Sequence, residues 1–329
     1  MLTLNYDKFI FITDNHYCIN SSVVNGRKSG VYSDRIENQI ESIRWVNSFN
    51  LPVIHGGDFF NNSIITAEEQ SALTEIKPFM KDWVFLRGNH ESAGEFDLLG
   101  ALGDRVIRVP TEAQIGKMKT LFLPFNSTEE DITDKYDLII GHIGLEGIPF
   151  GAKGLDFSII DKACDFFLNG HLHNRVELGK NKWNTGSLTA QNFSDDCLDY
   201  RKGIVIVDTV NRSLEFVENP YAFNFFKLTW RDYLNKYKDS PVGEALRRTT
   251  SCISMSCSEN EKSDILASGQ FNSVYYLRVS EDQPRQRAIE QDSKPVVELD
   301  YIYKFRKSFL EKVGESSVVL EELAEVLNG

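Results

Sequence analysis

Short apolar runs alternate with helical patterns along the first third of the chain. Residues 8–13 and 51–55 are apolar runs bounded by polar residues, which predicts two buried strands. Between residues 32 and 49, isoleucine and valine recur every three or four positions, which predicts an amphipathic helix. Residues 66–79 predict a second helix, whose first turn has a capping-box sequence, Thr66 followed by Glu69.

Strands dominate farther along the chain. Seven more apolar runs predict strands at residues 83–86, 105–109, 120–123, 137–140, 165–168, 203–207 and 214–217. Because strands and helices alternate first and strands follow, we expect an α/β fold. Its core would be a sandwich of two sheets flanked by helices.

The composition changes near Asn219-Pro220. Residues 1–220 carry most of the net negative charge, whereas residues 221–329 are nearly neutral. The second region predicts a helix at 231–248, a polar serine-rich segment at 249–269, a strand at 273–279 and a charged linker at 281–294. Two short amphipathic helices follow between residues 301 and 328. The sequence therefore predicts three parts: residues 1–220, a small α+β capping region at 221–294, and a helical pair at 295–329.

The charge and the cysteines restrict the classes of function. With 36 basic and 48 acidic residues, the net charge is −12, so a basic protein that binds nucleic acid by itself is excluded. Metal ions or a partner could still supply positive charge. No apolar run approaches the roughly 20 residues of a membrane span. The five cysteines are scattered and odd in number, which favours reduced thiols and a cytoplasmic location, in the host if a phage encodes the chain.

Five of the six histidines directly follow predicted strands, in turns rich in glycine, aspartate and asparagine. The runs are Asp14-Asn15-His16, Gly57-Asp58, Gly88-Asn89-His90-Glu91, Gly141-His142 and Gly170-His171-Leu172-His173. Sites of α/β proteins are built at the carboxyl ends of strands. A single histidine there is usually only hydrogen-bonded, but an ordered series of five runs indicates a site. His55 lacks such support, and we expect it to be packed.

Imidazole, carboxylate and amide groups together suit divalent ions such as Mn, Fe, Co or Zn. Seven candidate ligands are too many for one ion, so two ions that share a carboxylate are predicted. Metal pairs about 3.5–4 Å apart are a standard device for in-line attack at phosphorus.

This ordered set, D-x-H, G-D, G-N-H-E, G-H and G-H-x-H, resembles the calcineurin-like metallophosphoesterase superfamily over about residues 8–220. The resemblance implies two metal sites that share Asp58 as a bridge. It assigns the first to Asp14, His16, Asp58 and His173, and the second to Asp58, Asn89, His142 and His171. It also implies that His90 lies beside the metals and protonates or orients the leaving oxygen.

Two subfamilies share parts of this pattern. Residues 86–92, which contain Arg87, resemble serine/threonine protein phosphatases, in which the arginine binds phosphate. The arginine of their neighbouring motif is missing from residues 57–62 here, so Arg87 serves either the structure or a substrate phosphate.

The SbcD-type DNA repair nucleases are the second subfamily. The resemblance to them lies in residues 57–61, 170–173, 183–188 and 192–195. That family includes phage recombination endonuclease subunits. Asn61 and Glu91 stand where those nucleases have aspartate, which bears on rate and metal preference.

The SbcD resemblance implies a Mn-dependent DNA exonuclease or endonuclease, the nuclease subunit of an SbcCD-like complex in DNA repair, recombination or replication. It further implies a homodimer and docking of the helical pair at 295–329 on an SbcC-type coiled-coil ATPase. These helices could instead pack on their own chain. Arg27 and Lys28 could contact DNA or remain solvated. The alternatives are a metal-dependent phosphatase or small-molecule phosphodiesterase, and a scaffold without activity.

Overall fold

The apolar runs of the sequence become buried strands in this computed structural model, which describes residues 1–281 except 20, 22, 25, 28, 29, 93–97, 149–150 and 194–200. In chain order the strands are β1 Leu2–Leu4, β2 Lys8–Ile12, β3 Val53–His55, β4 Val84–Leu86, β5 Val106–Ile107, β6 Thr111–Ile115, β7 Met118–Leu123, β8 Tyr136–Gly141, β9 Leu145–Glu146, β10 Leu155–Asp156, β11 Cys164–Asn169, β12 Val176–Gly179, β13 Lys182–Asn184, β14 Gly203–Asp208, β15 Ser213–Glu218, β16 Asn224–Thr229, β17 Ser251–Cys257 and β18 Tyr276–Glu281. The α-helices are α1 Asp34–Ser48, α2 Ala67–Ile76, α3 Asn89–Ser92, α4 Phe157–Ala163, α5 Trp230–Asp232, α6 Pro241–Leu246 and α7 Glu259–Ala267.

Two large sheets face each other. One has the strand order β1-β6-β7-β8-β11-β13-β12 and the other β15-β14-β2-β3-β4-β5. Strand β2 is apolar on both of its faces because both are covered by other elements. Its Phe9 and Phe11 enter the core between the sheets, whereas Ile10 and Ile12 pack on the opposite side, against residues of α1 and α2. Because side chains alternate along a strand, a continuous apolar run is what a strand covered on both faces requires.

Helices cover the outer faces, so the predicted sandwich flanked by helices is confirmed. Helix α1 begins where the Ser33 hydroxyl accepts a hydrogen bond from the Ile36 amide, and α2 begins with the predicted capping box of Thr66 and Glu69. On the far face of the seven-stranded sheet, Ile160 of α4 packs in a separate apolar cluster. None of the helices in the described part of the chain is both long and apolar enough to cross a membrane.

A third, parallel sheet, β16-β17-β18, follows the two large sheets. Here one prediction was wrong, and one segment without a predicted helix or strand contains both. The serine-rich segment 249–269 contains the central strand β17 and helix α7. Its serines tolerate burial because they are hydrogen-bonded: Ser251 donates to the Ala245 carbonyl, and Ser254 accepts from Arg278. The helix expected at 231–248 is interrupted, because Pro241 begins a new helix capped by Ser240.

The segment directly before β18 is joined to α1 by a partly buried polar contact. The Tyr275 hydroxyl donates to the Asp34 carboxylate at 2.6 Å, at the beginning of α1. Cys18, Cys164, Cys252 and Cys257 are buried. The predicted linker from residue 282, the helical pair at 295–329, Lys28 and Cys197 lie outside the described residues, and the predicted domain boundaries remain predictions.

Candidate metal centre

The carboxyl ends of five parallel strands bring the predicted site residues to one edge of the sandwich. Asp14 and His16 follow β2, Asp58 follows β3, and the other residues follow β4, β8 and β11. Backbone hydrogen bonds continue past the strand ends and hold the loops together. The amides of Asp14 and His16 donate to the carbonyls of Gly57 and Asp58, both at 3.0 Å. These hydrogen bonds join the loop after β2 to the loop after β3, so the side chains of the two loops are held in fixed positions relative to each other.

Possible ligands form three overlapping groups at or beside Asp58; two match the predicted metal sites, and the third is His16, Asp58 and His90. In the first, Asp14, His16 and His173 present ligand atoms that all lie within 4.8 Å of one another. The Oδ2 atom of Asp58 lies 3.8 Å from His16 Nε2, so this carboxylate faces the first group.

The second group has the same Asp58 carboxylate, with His142 and His171. Asp58 Oδ2 lies 3.3 Å from His142 Nε2. The Asn89 side-chain oxygen lies 3.1 Å from His142 Nε2 and 2.8 Å from His171 Nδ1. All seven predicted ligands thus converge, and Asp58 lies between the two groups as the bridging role requires.

Hydrogen bonds behind the histidines determine which ring nitrogen faces the centre. His142 Nδ1 lies 2.7 Å from the Gly56 carbonyl, which can only accept a hydrogen bond, so this nitrogen carries a proton. His16 Nδ1 lies 3.2 Å from the Asn61 side-chain oxygen. Both rings therefore direct Nε2 inward, which is the arrangement that backing hydrogen bonds impose on metal-binding histidines.

Two buried polar atoms of the first group have no hydrogen-bond partner in the described part of the protein: Asp14 Oδ1 and His16 Nε2. The other Asp14 oxygen, Oδ2, accepts from the Thr13 hydroxyl at 2.7 Å and the His171 amide at 3.0 Å. Leaving such atoms unpaired is costly. A cation between them would satisfy both, so the donor set fits divalent ions.

The charges of the centre are strongly coupled. Burial opposes ionisation of Asp14 and Asp58, but the neighbouring imidazoles outweigh burial and keep the pKa of both carboxylates low. Burial also opposes a charged His142, yet the carboxylates of Asp58, Asp14 and Glu91 raise its pKa to about 9. Two buried carboxylates thus demand compensating positive charge, from protons or from cations.

Glycines allow the backbone to lie directly against these ligands. A Cβ atom on Gly57, whose φ is +105°, would lie 2.3 Å from His142 Nδ1. A Cβ on Gly88 would lie 2.1 Å from Asp58 Oδ1. Asp14, His16, Asp58 and His171 themselves have positive φ angles. Such backbone strain is costly and concentrates at functional sites.

Glu91 fixes the two loops that carry Asp58 and Asn89. Its buried carboxylate accepts from the amides of Asp58 and Phe60, both at 3.0 Å, and of Gly88 at 2.9 Å. Burial and the Asp58 charge raise the pKa of Glu91 to about 7 despite these bonds. Glu91 is therefore an anchor that positions the bridging carboxylate.

His90 lies at the open side of the centre. Its Nδ1 is 2.6 Å from the Asn61 carbonyl and so carries a proton, which leaves Nε2 facing the site, 3.9 Å from Asp58 Oδ2. About a third of its side chain is exposed, whereas Asp58 is almost fully buried. His90 can therefore reach a substrate and exchange protons with water.

The remaining residues divide as follows. His55 is packed as expected: it is buried against Phe59 and Phe85, and burial lowers its pKa to about 3. The Nε atom of Arg87 is buried without a hydrogen-bond partner among the described residues.

Two residues near the centre were not predicted from the sequence. One is Lys202, whose ammonium donates to the His173 carbonyl at 2.7 Å. The other is the buried Arg35. Neither was predicted, because no local signal marks contacts between distant segments.

We predict that divalent cation binding releases about one proton between pH 7 and 9. His142 is protonated below its pKa of about 9, and a cation requires the neutral ring. The apparent affinity should then rise about tenfold per pH unit in this range and level off above it. Calorimetric titration with Mn²⁺ in buffers of different ionisation enthalpy measures the number of protons released and the apparent affinity. An affinity that is independent of pH from 7 to 9 would contradict this coupling.

The comparisons with known proteins agree with the site. The family model for calcineurin-like phosphoesterases matches residues 7–175. A search of curated proteins gives no significant match.

Two solved structures are similar to this chain. A novel archaeal phosphodiesterase is 18% identical over 64% of this chain and 99% of its own, with a TM-score of 0.35. A provisionally assigned 5'-nucleotidase from Staphylococcus aureus, in complex with alpha-ketoglutarate, is 12% identical over 64% of this chain and 52% of its own, with a TM-score of 0.38. Because both TM-scores are low, the assignment rests on the sequence match, which spans just over half of the chain. The chain therefore belongs to the calcineurin-like phosphoesterase family, whose members use divalent metal ions to hydrolyse phosphate esters.

Proposed function

We propose that this protein is a Mn-dependent nuclease that hydrolyses phosphodiester bonds of DNA with two divalent ions. The observation that carries the proposal is the position of Asp58. Its carboxylate lies between the group of Asp14, His16 and His173 and the group of His142 and His171. A shared carboxylate is what a pair of closely spaced cations needs. In this proposal Asn89 completes the second site.

The protein groups would divide the chemistry as follows. Bound ions would supply Lewis-acid stabilisation of the phosphate and activation of water. Asp14 and Asp58 hold negative charge in a buried place, and Glu91 keeps Asp58 in position. The Nε2 atom of His90 would donate a proton to the departing sugar oxygen, since its Nδ1 is already committed to the Asn61 carbonyl.

The choice of DNA rests on the resemblance of residues 57–61 and 170–173 to the SbcD-type nucleases. Asn61, which replaces their aspartate, contacts His16 through its side-chain oxygen and His90 through its backbone carbonyl. The substitution is therefore compatible with an intact site. One observation favours a phosphatase instead: Arg87, in the phosphatase-like motif, has a buried Nε without a partner in the described structure.

We further propose that the chain works as a homodimer with an SbcC-type coiled-coil ATPase, which the helical pair at 295–329 would bind. The apolar stripe of residues 302, 305, 309 and 313 is suited to a helix-in-groove contact. A net charge of −12 adds to the case, because an acidic chain gains little from releasing counterions of DNA by itself.

A panel of substrates tests the activity. Linear duplex DNA, a phosphopeptide and bis(p-nitrophenyl) phosphate should be incubated with Mn²⁺, and we expect cleavage of DNA and of the aryl phosphodiester. Asp58→Asn should lower both rates by at least about a hundredfold, because it removes charge needed in the transition state. The control Asp104→Asn changes an exposed aspartate and should leave the rates unchanged. Cleavage of the phosphopeptide alone would establish the phosphatase.

The role of His90 has a separate test. His90→Asn should leave the metal content unchanged and lower DNA cleavage by about 10²–10⁴-fold, the usual contribution of a general acid. The aryl phosphodiester should be affected far less, because p-nitrophenolate leaves without a proton. Steady-state rates on the two substrates measure this difference. An equal loss on both would show that His90 does not protonate the leaving group.

The partner is tested with the full-length chain. Phe305→Glu combined with Phe309→Glu should abolish retention of the coiled-coil ATPase in a pull-down, because two charges enter the apolar stripe. Ser308→Glu, which lies off the stripe, should retain it. Unchanged retention by the double variant would exclude this contact, and metal-dependent cleavage should be the same in all three proteins.

A further inference from the structure

A second concave site lies at the opposite end of the seven-stranded sheet from the candidate metal centre. This cavity of about 680 Å³, called the lysine cleft here, is lined by residues at the starts of β8 and β11 and in the turns beside them. Its six cationic residues are Lys119, Lys135, Lys162, Lys180, Lys182 and Arg212. Tyr136 lies in its wall at the start of β8, and His142 directly follows the end of that strand, six residues later. At about 3.3 Å per residue the two sites are roughly 20 Å apart.

The charge of the lysine cleft is opposite to that of the chain. Acidic residues outnumber basic ones over the whole sequence, 48 to 36. In the cleft, six of the fourteen lining residues are basic and three are aspartate. The cavity therefore concentrates positive charge in an acidic protein.

The aspartates of the cleft lining are all in ion pairs. Arg212 donates to Asp137 at 2.9 Å and to Asp165 at 2.8 Å. Lys182 donates to Asp161 at 2.6 Å. Outside the lining, Asp134 accepts from Lys119 at 2.5 Å. These pairs contain three cations and four aspartates, so the six basic residues and the four aspartates together leave a net charge of +2 at the cleft.

Lys135, Lys162 and Lys180 are in none of the ion pairs named above. The pKa of the nearby Asp156 carboxyl is lowered by the hydrogen bond from the Ser158 amide and also by the charge of Lys162. All three lysines are exposed at the cleft. Like charges on one concave surface repel each other over about a Debye length, 8–10 Å in ordinary salt. An anion placed among the three ammonium groups would relieve that repulsion.

The paired cations provide a fixed frame for such an anion. The Lys182 ammonium also donates to the Asp161 carbonyl at 2.7 Å and is largely buried. Arg212 lies over the Phe166 ring at 5.4 Å, and Lys119 lies over the Tyr136 ring at 4.8 Å. These contacts hold the walls of the cleft in place beside Lys135, Lys162 and Lys180.

We propose that the lysine cleft binds a phosphate-rich anion through Lys135, Lys162 and Lys180. The lysine ammonium is a compact charge with three rotatable donors, so it can donate to phosphate oxygens from many directions. The cavity volume lies in the range of small-molecule sites. The phosphates could belong to a free polyphosphate or to the backbone of a single nucleic acid strand. This site is independent of the metal centre and of the activity proposed for it.

The test measures binding of inorganic tripolyphosphate, by calorimetry, and of a fluorescent single-stranded oligonucleotide, by anisotropy. Both titrations contain EDTA, so that the metal centre does not contribute. The cleft variant combines Lys135→Gln, Lys162→Gln and Lys180→Gln. The control variant combines Lys77→Gln, Lys227→Gln and Lys238→Gln, which removes the same charge from exposed positions outside the cleft.

The cleft variant should bind at least one probe about tenfold more weakly, and the control variant less than twofold more weakly. If the strand is the ligand, the slope of log K against log salt should fall by about two in the cleft variant, near 0.7 for each lost contact. A loss confined to tripolyphosphate identifies a free anion. Equal weakening in both variants, or no binding of either probe by the parent protein, overturns the proposal. Unchanged hydrolysis of bis(p-nitrophenyl) phosphate with Mn²⁺ verifies that the cleft variant is folded.

Discussion

The carboxylate of Asp58, held between the imidazoles of His16 and His142, is the interaction on which this site depends. Two carboxylates and several imidazoles are buried together at the edge of the sandwich. Buried carboxylates are tolerated only when positive charge compensates them. The low pKa of Asp58 and the raised pKa of His142 are two consequences of the same pairing. Either protons on the imidazoles or bound cations can compensate the two carboxylates, and only bound cations would supply Lewis-acid chemistry.

The fold makes this concentration of charge possible because it controls the backbone. Five parallel strands end at one edge, and the amides beyond those ends bond to neighbouring loops. Glycines such as Gly57 and Gly88 leave room for the ligands that lie against them. Glu91 then uses both carboxylate oxygens to tie three amides of two loops. The strain of several left-handed residues is thus carried by a well-anchored backbone.

The charge differs between the two ends of the sheet. At the carboxyl ends of the strands, aspartates create a demand for cations. At the amino ends, the lysine cleft has its aspartates in ion pairs and an excess of basic residues. The net charge of −12 conceals this division, since it averages over both ends. A protein that is acidic overall can therefore still present a local surface suited to phosphate.

The sequence by itself determined the two-sheet architecture, most strand positions and the seven candidate ligands, because these depend on local patterns. Apolar runs predict buried strands, and polar residues after parallel strands must meet at a common edge. Only the tertiary structure decided the rest. Strand β17 escaped prediction because its serines are satisfied by Ala245 and Arg278 from other elements. The anchoring by Glu91, the contact of Lys202 with His173 and the cleft among five separate segments all depend on distant residues brought together, and no local pattern encodes such distances.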